Sequence, residues 1–218
     1  MHEARLSTNC GGRLRRLQRT ATIAFCLHLL AGAAMALILR NGLETNPNLL
    51  NRVSFIVDHA ALWTFAWLTW TAAAIAILCF YAAFASVHQT GQIAVWLTIA
   101  AIGPDVCAQA IEMGALPQIA TRADLFVTLH RIAVLMSGFV ANGLYSASAL
   151  ILAWLTRRVY PAWVSAAGVA TGVFGMALSA AALSNSADGM FWTNVVLLPC
   201  LLLWLGGVAI INQTGIHS

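Results

Sequence analysis

Apolar side chains gather in six long runs separated by short polar breaks. The runs cover about 20–39, 57–84, 92–116, 125–156, 161–183 and 190–211. Each is near or above the roughly 20 residues a helix needs to cross a hydrocarbon core about 30 Å thick. The fourth is long enough to tilt or protrude. A short stretch at 48–56 ahead of the second run is expected at the membrane interface. The breaks carry turn residues: Asn41-Gly42, Asn46-Pro47-Asn48, Thr90-Gly91 and Ser184 to Gly189. Pro117 is expected to end the third helix and Pro161 to open the fifth. Loops this short predict antiparallel neighbours. The predicted fold is all-α, a polytopic transmembrane bundle of about six spans.

Composition narrows the class further. Of 218 residues, 61% are hydrophobic and only 8% are charged, against about 25% in an ordinary soluble domain. A soluble enzyme and a disordered chain are both excluded. The lipid bilayer is the expected partner.

The net charge of +4 comes from Arg alone, since the chain has no Lys. Arg5, Arg13, Arg15, Arg16 and Arg19 precede the first run, and Arg157 and Arg158 fall between the fourth and fifth. Arg40, Arg52 and Arg122 fall on the opposite side. This asymmetry predicts both termini in the cytoplasm and a multi-pass protein of the inner membrane. Basic residues flanking an apolar run do not suggest a nucleic-acid surface. Residues 1–19 read as a basic cytoplasmic tail, 20–212 as the membrane domain and 213–218 as a short C-terminal tail. The small residues from Ala31 to Ala36 resemble a leader cleavage site. The run continues through Leu37 to Leu39, so an uncleaved first helix is expected.

Polar positions inside the runs are costly and therefore informative. Asp105, Gln109 and Glu112 recur at i, i+4 and i+7, on one face of the third helix, just after Pro104. His130 and Ser137 share a face of the fourth, with Arg131, Asn142 and Tyr145 to one side. His59 opens the second, and Trp63, Trp67 and Trp70 form an aromatic wall below it. By depth, these groups gather in the outer half of the bundle.

Three readings stay open. The polar groups form structural ion pairs in a membrane assembly or partner subunit. Alternatively, they line a pocket for a lipid-soluble small molecule. His130 or His59 would then be the general base and Asp105 or Glu112 its acid partner, with the Trp wall, Gln109, Arg131, Asn142 and Tyr145 contacting the ligand. Third, His59 and His130 hold a metal or a haem. No HExxH, phosphate-loop or dinucleotide glycine pattern is present, no CxxC pair occurs among the five Cys, and no motif names a cofactor.

Some short segments carry a resemblance. Arg19-Thr-Ala-Thr-Ile-Ala24, Leu129-His130, Arg158-Val-Tyr-Pro-Ala-Trp163 and Leu203-Trp204-Leu-Gly-Gly207 occur in an order similar to that of a bacterial six-helix inner-membrane family catalogued as a domain of unknown function. The resemblance implies a fold and a compartment, with no reaction attached.

Overall fold

The computed structural model of the protein describes residues 2–211, with side chains from residue 11 onward. The side chains of Arg5 and Cys10 and the expected tail at 213–218 lie outside the described residues. All regular structure among these residues is helical. Helix α1 covers His2–Leu37 and is followed by a 3-10 turn, Leu39–Asn41. Short α2 (Leu49–Asp58) leads into α3 (Ala60–His88) and then α4 (Gln92–Ala110). A π turn, Ile111–Ala115, joins α4 to a one-turn α5, Leu116–Ile119. Helix α6 (Ala123–Val134) passes through a second π turn, Leu135–Ala141, into α7 (Asn142–Leu155). Helices α8 (Ala162–Leu183) and α9 (Ala187–Ile210) follow.

Six of these stretches are long and apolar enough to span a membrane: Gly11–Asn41, Ala60–His88, Gln92–Ile119, Ala123–Leu155, Ala162–Leu183 and Ala187–Ile210. They coincide with the six hydrophobic runs. Helix α1 is continuous through the basic segment. At 1.5 Å per residue it is about 54 Å long, well beyond a hydrocarbon core of about 30 Å, so part of it extends past the span. One local expectation changes: Pro117 does not stop the third span. It falls within the first turn of α5, where its missing N–H costs little, and the π turn before it absorbs the offset.

Local chemistry explains the boundaries. Asn48 caps α2 by accepting from the Asn51 N–H, and Ser186 caps α9 by accepting from the Gly189 N–H. Gln89 and Gly91 hold left-handed conformations between α3 and α4. Gly91 both permits that turn and leaves room for Leu152, whose Cδ2 would lie 2.5 Å from an added Cβ.

The spans form a ring in sequence order. Span one packs on α3, α3 on α4, α4 on α7, α7 on α8 and α8 on α9; α9 returns to α1 and closes the ring. Near the C-terminal end of α9, Phe80, Tyr81, Phe84 and Trp204 pack edge to face or tilted with centroids 5.5–5.9 Å apart. At the opposite end a second core joins Leu39, Ile56, Trp63, Trp67, Leu116 and Phe126. Trp96, Trp154 and Trp192 stay exposed on the perimeter.

Candidate functional site

The third span delivers its carboxylates as its spacing requires. Asp105, Gln109 and Glu112 are all buried, at 7%, 2% and 1% exposure. Asp105 is tied across the bundle to the fourth span. Ser137 Oγ donates to its Oδ1 at 2.8 Å, and the Tyr145 hydroxyl donates to its Oδ2 at 3.2 Å. Thr71 on α3 donates to Gln109 Oε1. These bonds bring α3, α4 and the π turn before α7 to one polar wall.

One turn further, the π turn changes the local backbone. Trp63 Nε1 donates to the Glu112 carbonyl at 2.8 Å, in the region where the i→i−4 ladder gives way. The Glu112 carboxyl lies against His130, with Oε1 3.4 Å from Nδ1, too long for a hydrogen bond. His130 is fully buried and lies nearly parallel to Phe126, with centroids 6.0 Å apart. The Arg52 guanidinium of α2 covers the Phe126 ring at 5.9 Å, and Arg52 Nε donates to the Gly42 carbonyl at 3.2 Å. Partial burial draws the pKa of Arg52 downward, and the carboxylates of Glu44 and Glu112 oppose that shift.

A cleft of about 600 Å³ lies inside the ring. Its rim is the loop after α1, with Arg40, Leu43, Glu44 and Thr45, together with Met190 and Phe191 of α9. Trp67, Trp70, Asp105, Gln109, Glu112, Ser137, Asn142 and Tyr145 line one side. Gly32, Met35, Ala36, Leu197, Leu198 and Leu201 line the other. The lining reaches His28, Tyr81 and Ser146, so the cleft runs deeper than the outer half expected from sequence. Tyr81 also belongs to the aromatic core of Phe80, Phe84 and Trp204.

Several atoms on this wall are buried without a hydrogen-bond partner. Trp67 Nε1, Trp70 Nε1 and Glu112 Oε2 belong to cleft-lining residues. His130 Nδ1 and Nε2, and one terminal nitrogen of Arg131, share this condition behind or beside the wall. His28, by contrast, bonds the Ala24 carbonyl at 2.8 Å and meets the Trp70 ring edge-on at 6.4 Å.

The structure separates other residues that the sequence grouped. His59 is exposed at the junction of α2 and α3, with its ring against Phe55 at 5.0 Å. No contact joins it to His130. Among the described residues no group of three or more His, Cys, Asp or Glu could hold a metal ion. Trp63 is spent on the Glu112 backbone and does not line the cleft. Arg131 pairs with neither Asp105 nor Glu112; its guanidinium donates to the Leu183 carbonyl at 3.1 Å. Asn142 touches the cleft but gives its amide to Gly175 O at 2.7 Å and Ser179 Oγ at 3.0 Å, fastening α7 to α8.

Sequence reasoning missed other contributors. Arg52 and Phe126 flank the His130 pair, and Arg40 and Glu44 mark the rim. An Arg one helix away and a Phe four positions before His130 gave no signal without the tertiary fold. Tyr81 and Ser146 were legible only as isolated polar residues in apolar runs.

No protein-family model, no curated protein and no solved structure matches this chain. The segments resembling a catalogued membrane family therefore add nothing to the reading of the site.

Proposed function

We propose that the protein binds a lipid-soluble small molecule inside the helix ring, as a multi-pass inner-membrane protein with both termini cytoplasmic. The observation that carries this reading is the cleft inside the ring, about 600 Å³, with mostly apolar walls and Asp105, Gln109, Ser137, Asn142 and Tyr145 gathered on one side. The cleft has the size usual for small-molecule sites, about 300–1,000 Å³, and their usual composition of apolar walls with a few convergent polar groups. Both π turns lie in the helices that carry the wall, a placement common at functional sites. Glu112 in the cleft lining and His130 behind it place two titratable side chains beside the ligand, as acid–base chemistry on it would require. The Arg asymmetry across the spans supports the orientation.

The test is native mass spectrometry and thermal unfolding of protein purified in mild detergent. A retained small molecule released by organic solvent, with a lowered Tm after its removal, is the expected result. A protein that carries nothing, gains no stability from neutral membrane extracts, and is stabilised by Ala74→Phe, which fills the cleft from its α3 lining, would leave the polar groups as helix locks.

A further inference from the structure

Helix α1 carries a second arrangement, on the outside of the ring and away from the cleft. We propose that Arg15, Arg16 and Arg19 seat the phosphodiester head of an anionic phospholipid, with an acyl chain lying along the α1 face beneath them; this is independent of the cleft. The three Arg fall at i, i+1 and i+4, within an arc of about 100°. Leu17, between them in sequence, is fully buried and belongs to one core with Tyr160, Val164 and Trp204. It lies about 100–160° around the helix axis from each Arg, so the guanidiniums face away from the ring. All three are exposed, and with Gly12 and Thr20 they bound one shallow recess.

Among the described residues no carboxylate pairs with these Arg. Glu44, Asp58, Glu112, Asp124 and Asp188 lie toward the opposite end of the ring, and Asp105 is inside it. Glu3 precedes Arg15 by twelve positions, about 18 Å along α1. Arg157 and Arg158 share the basic end, but Arg157 is engaged by Trp154: its guanidinium lies 4.3 Å from the indole centroid and donates to the Trp154 carbonyl at 2.8 Å. An Arg cluster without acids matches a phosphate, which guanidinium binds through two parallel N–H bonds. The surface below the cluster separates a lipid from a soluble phosphate. Ile23, Cys26 and Leu30 follow Arg19 at four, seven and eleven positions, so all four lie within an arc of about 60°. Those three are exposed and apolar, a stripe for an acyl chain. With 20–39 as the apolar run, the Arg cluster stands at the headgroup level and the stripe at the level of the tails. A zwitterionic head would bring a cationic amine into the same recess, so a head of net negative charge is favoured.

The experiment is native mass spectrometry of the full chain in mild detergent, with equal amounts of dioleoylphosphatidylglycerol and dioleoylphosphatidylcholine, whose tails are identical. Phosphatidylglycerol is expected to be retained over phosphatidylcholine by about 10- to 100-fold. Replacing Arg15, Arg16 and Arg19 together by Gln is expected to remove most of that preference. Arg19→Gln alone, a milder change at an exposed position, is expected to lower it by about 5-fold and answers the question if the triple variant fails to fold. Arg157→Gln with Arg158→Gln is the control for general surface charge and is expected to change it by less than about 2-fold. An excess of glycerol 3-phosphate, the head without tails, is expected to leave the lipid in place. Equal retention of the two lipids, or a preference that survives both α1 variants, would overturn the proposal. A loss from the Arg157 and Arg158 pair as large as that from the α1 cluster would replace the seat by a diffuse basic surface and overturn it too. Displacement by glycerol 3-phosphate would make a soluble phosphate the ligand and overturn the lipid assignment.

Discussion

At Asp105 the structural demand and the chemical one meet in one carboxyl group. Its two oxygens accept from Ser137 and Tyr145, which hold α4 against the fourth span. Asp105→Asn keeps one acceptor and the shape, so a small loss of stability is expected. Asp105→Leu leaves both hydroxyls unpaired in a buried setting and is expected to cost about 1–3 kcal/mol. Equilibrium unfolding of detergent-solubilised protein compares the two; equal losses would show that volume rather than hydrogen bonding matters there. Trp63 offers a parallel case. Its N–H meets the buried Glu112 carbonyl where the π turn breaks the regular helical ladder. Trp63→Phe is expected to cost about 1–2 kcal/mol by the same measurement, with the larger part of the ring packing retained.

Among the elements, α7 and α8 are held by close approach rather than by large side chains. At Gly175 an added Cβ would lie 1.9 Å from Ser146 Oγ, and at Gly172 it would lie 2.2 Å from Leu150 Cγ. Without a hydrophobic drive between helices in lipid, such approach and the Asn142 bonds hold the pair together. Gly175→Ala is expected to destabilise by about 1–3 kcal/mol. Adding Ser146→Ala removes the nearest clashing atom, so the double variant is expected to lose less than the two single losses combined; a double-mutant cycle measures the difference.

These elements also show what a sequence can disclose. The i, i+4, i+7 spacing of Asp105, Gln109 and Glu112 was legible because helical geometry alone puts them on one face. The spacing of Gly168, Gly172 and Gly175 likewise sets small residues along one side of α8. Rotation about each helix axis relative to its neighbours was not. That is why Arg131 was grouped with the carboxylates although it reaches Leu183, and why His59 was grouped with His130 although it faces outward. The π turns were invisible because they shift the helical phase by a residue, and no local residue preference marks them.

For the molecule as a whole, the ring order and the Arg asymmetry bear on topology. Ser184 and Arg158 are both exposed and lie at opposite ends of α8. In intact cells, Ser184→Cys is expected to react with a membrane-impermeant maleimide and Arg158→Cys only after permeabilisation. The reverse pattern would invert the orientation. Cys26, Cys79 and Cys107 are exposed on the membrane spans, so a background without them keeps the reading clean.

The seam between α1 and α9 has a consequence for assembly. Five of the six contacts around the ring join spans that follow one another in the chain; the seam joins the first to the last. At Gly32 an added Cβ would lie 2.3 Å from Leu198 Cδ2, so this joint depends on intimate fit. During synthesis the first five spans can pair as they emerge, at little loop-closure expense. The cleft cannot exist until the last span arrives, so before that the polar wall of α4 faces an unfinished arc. Any loading of the cleft therefore waits for α9 to close the ring.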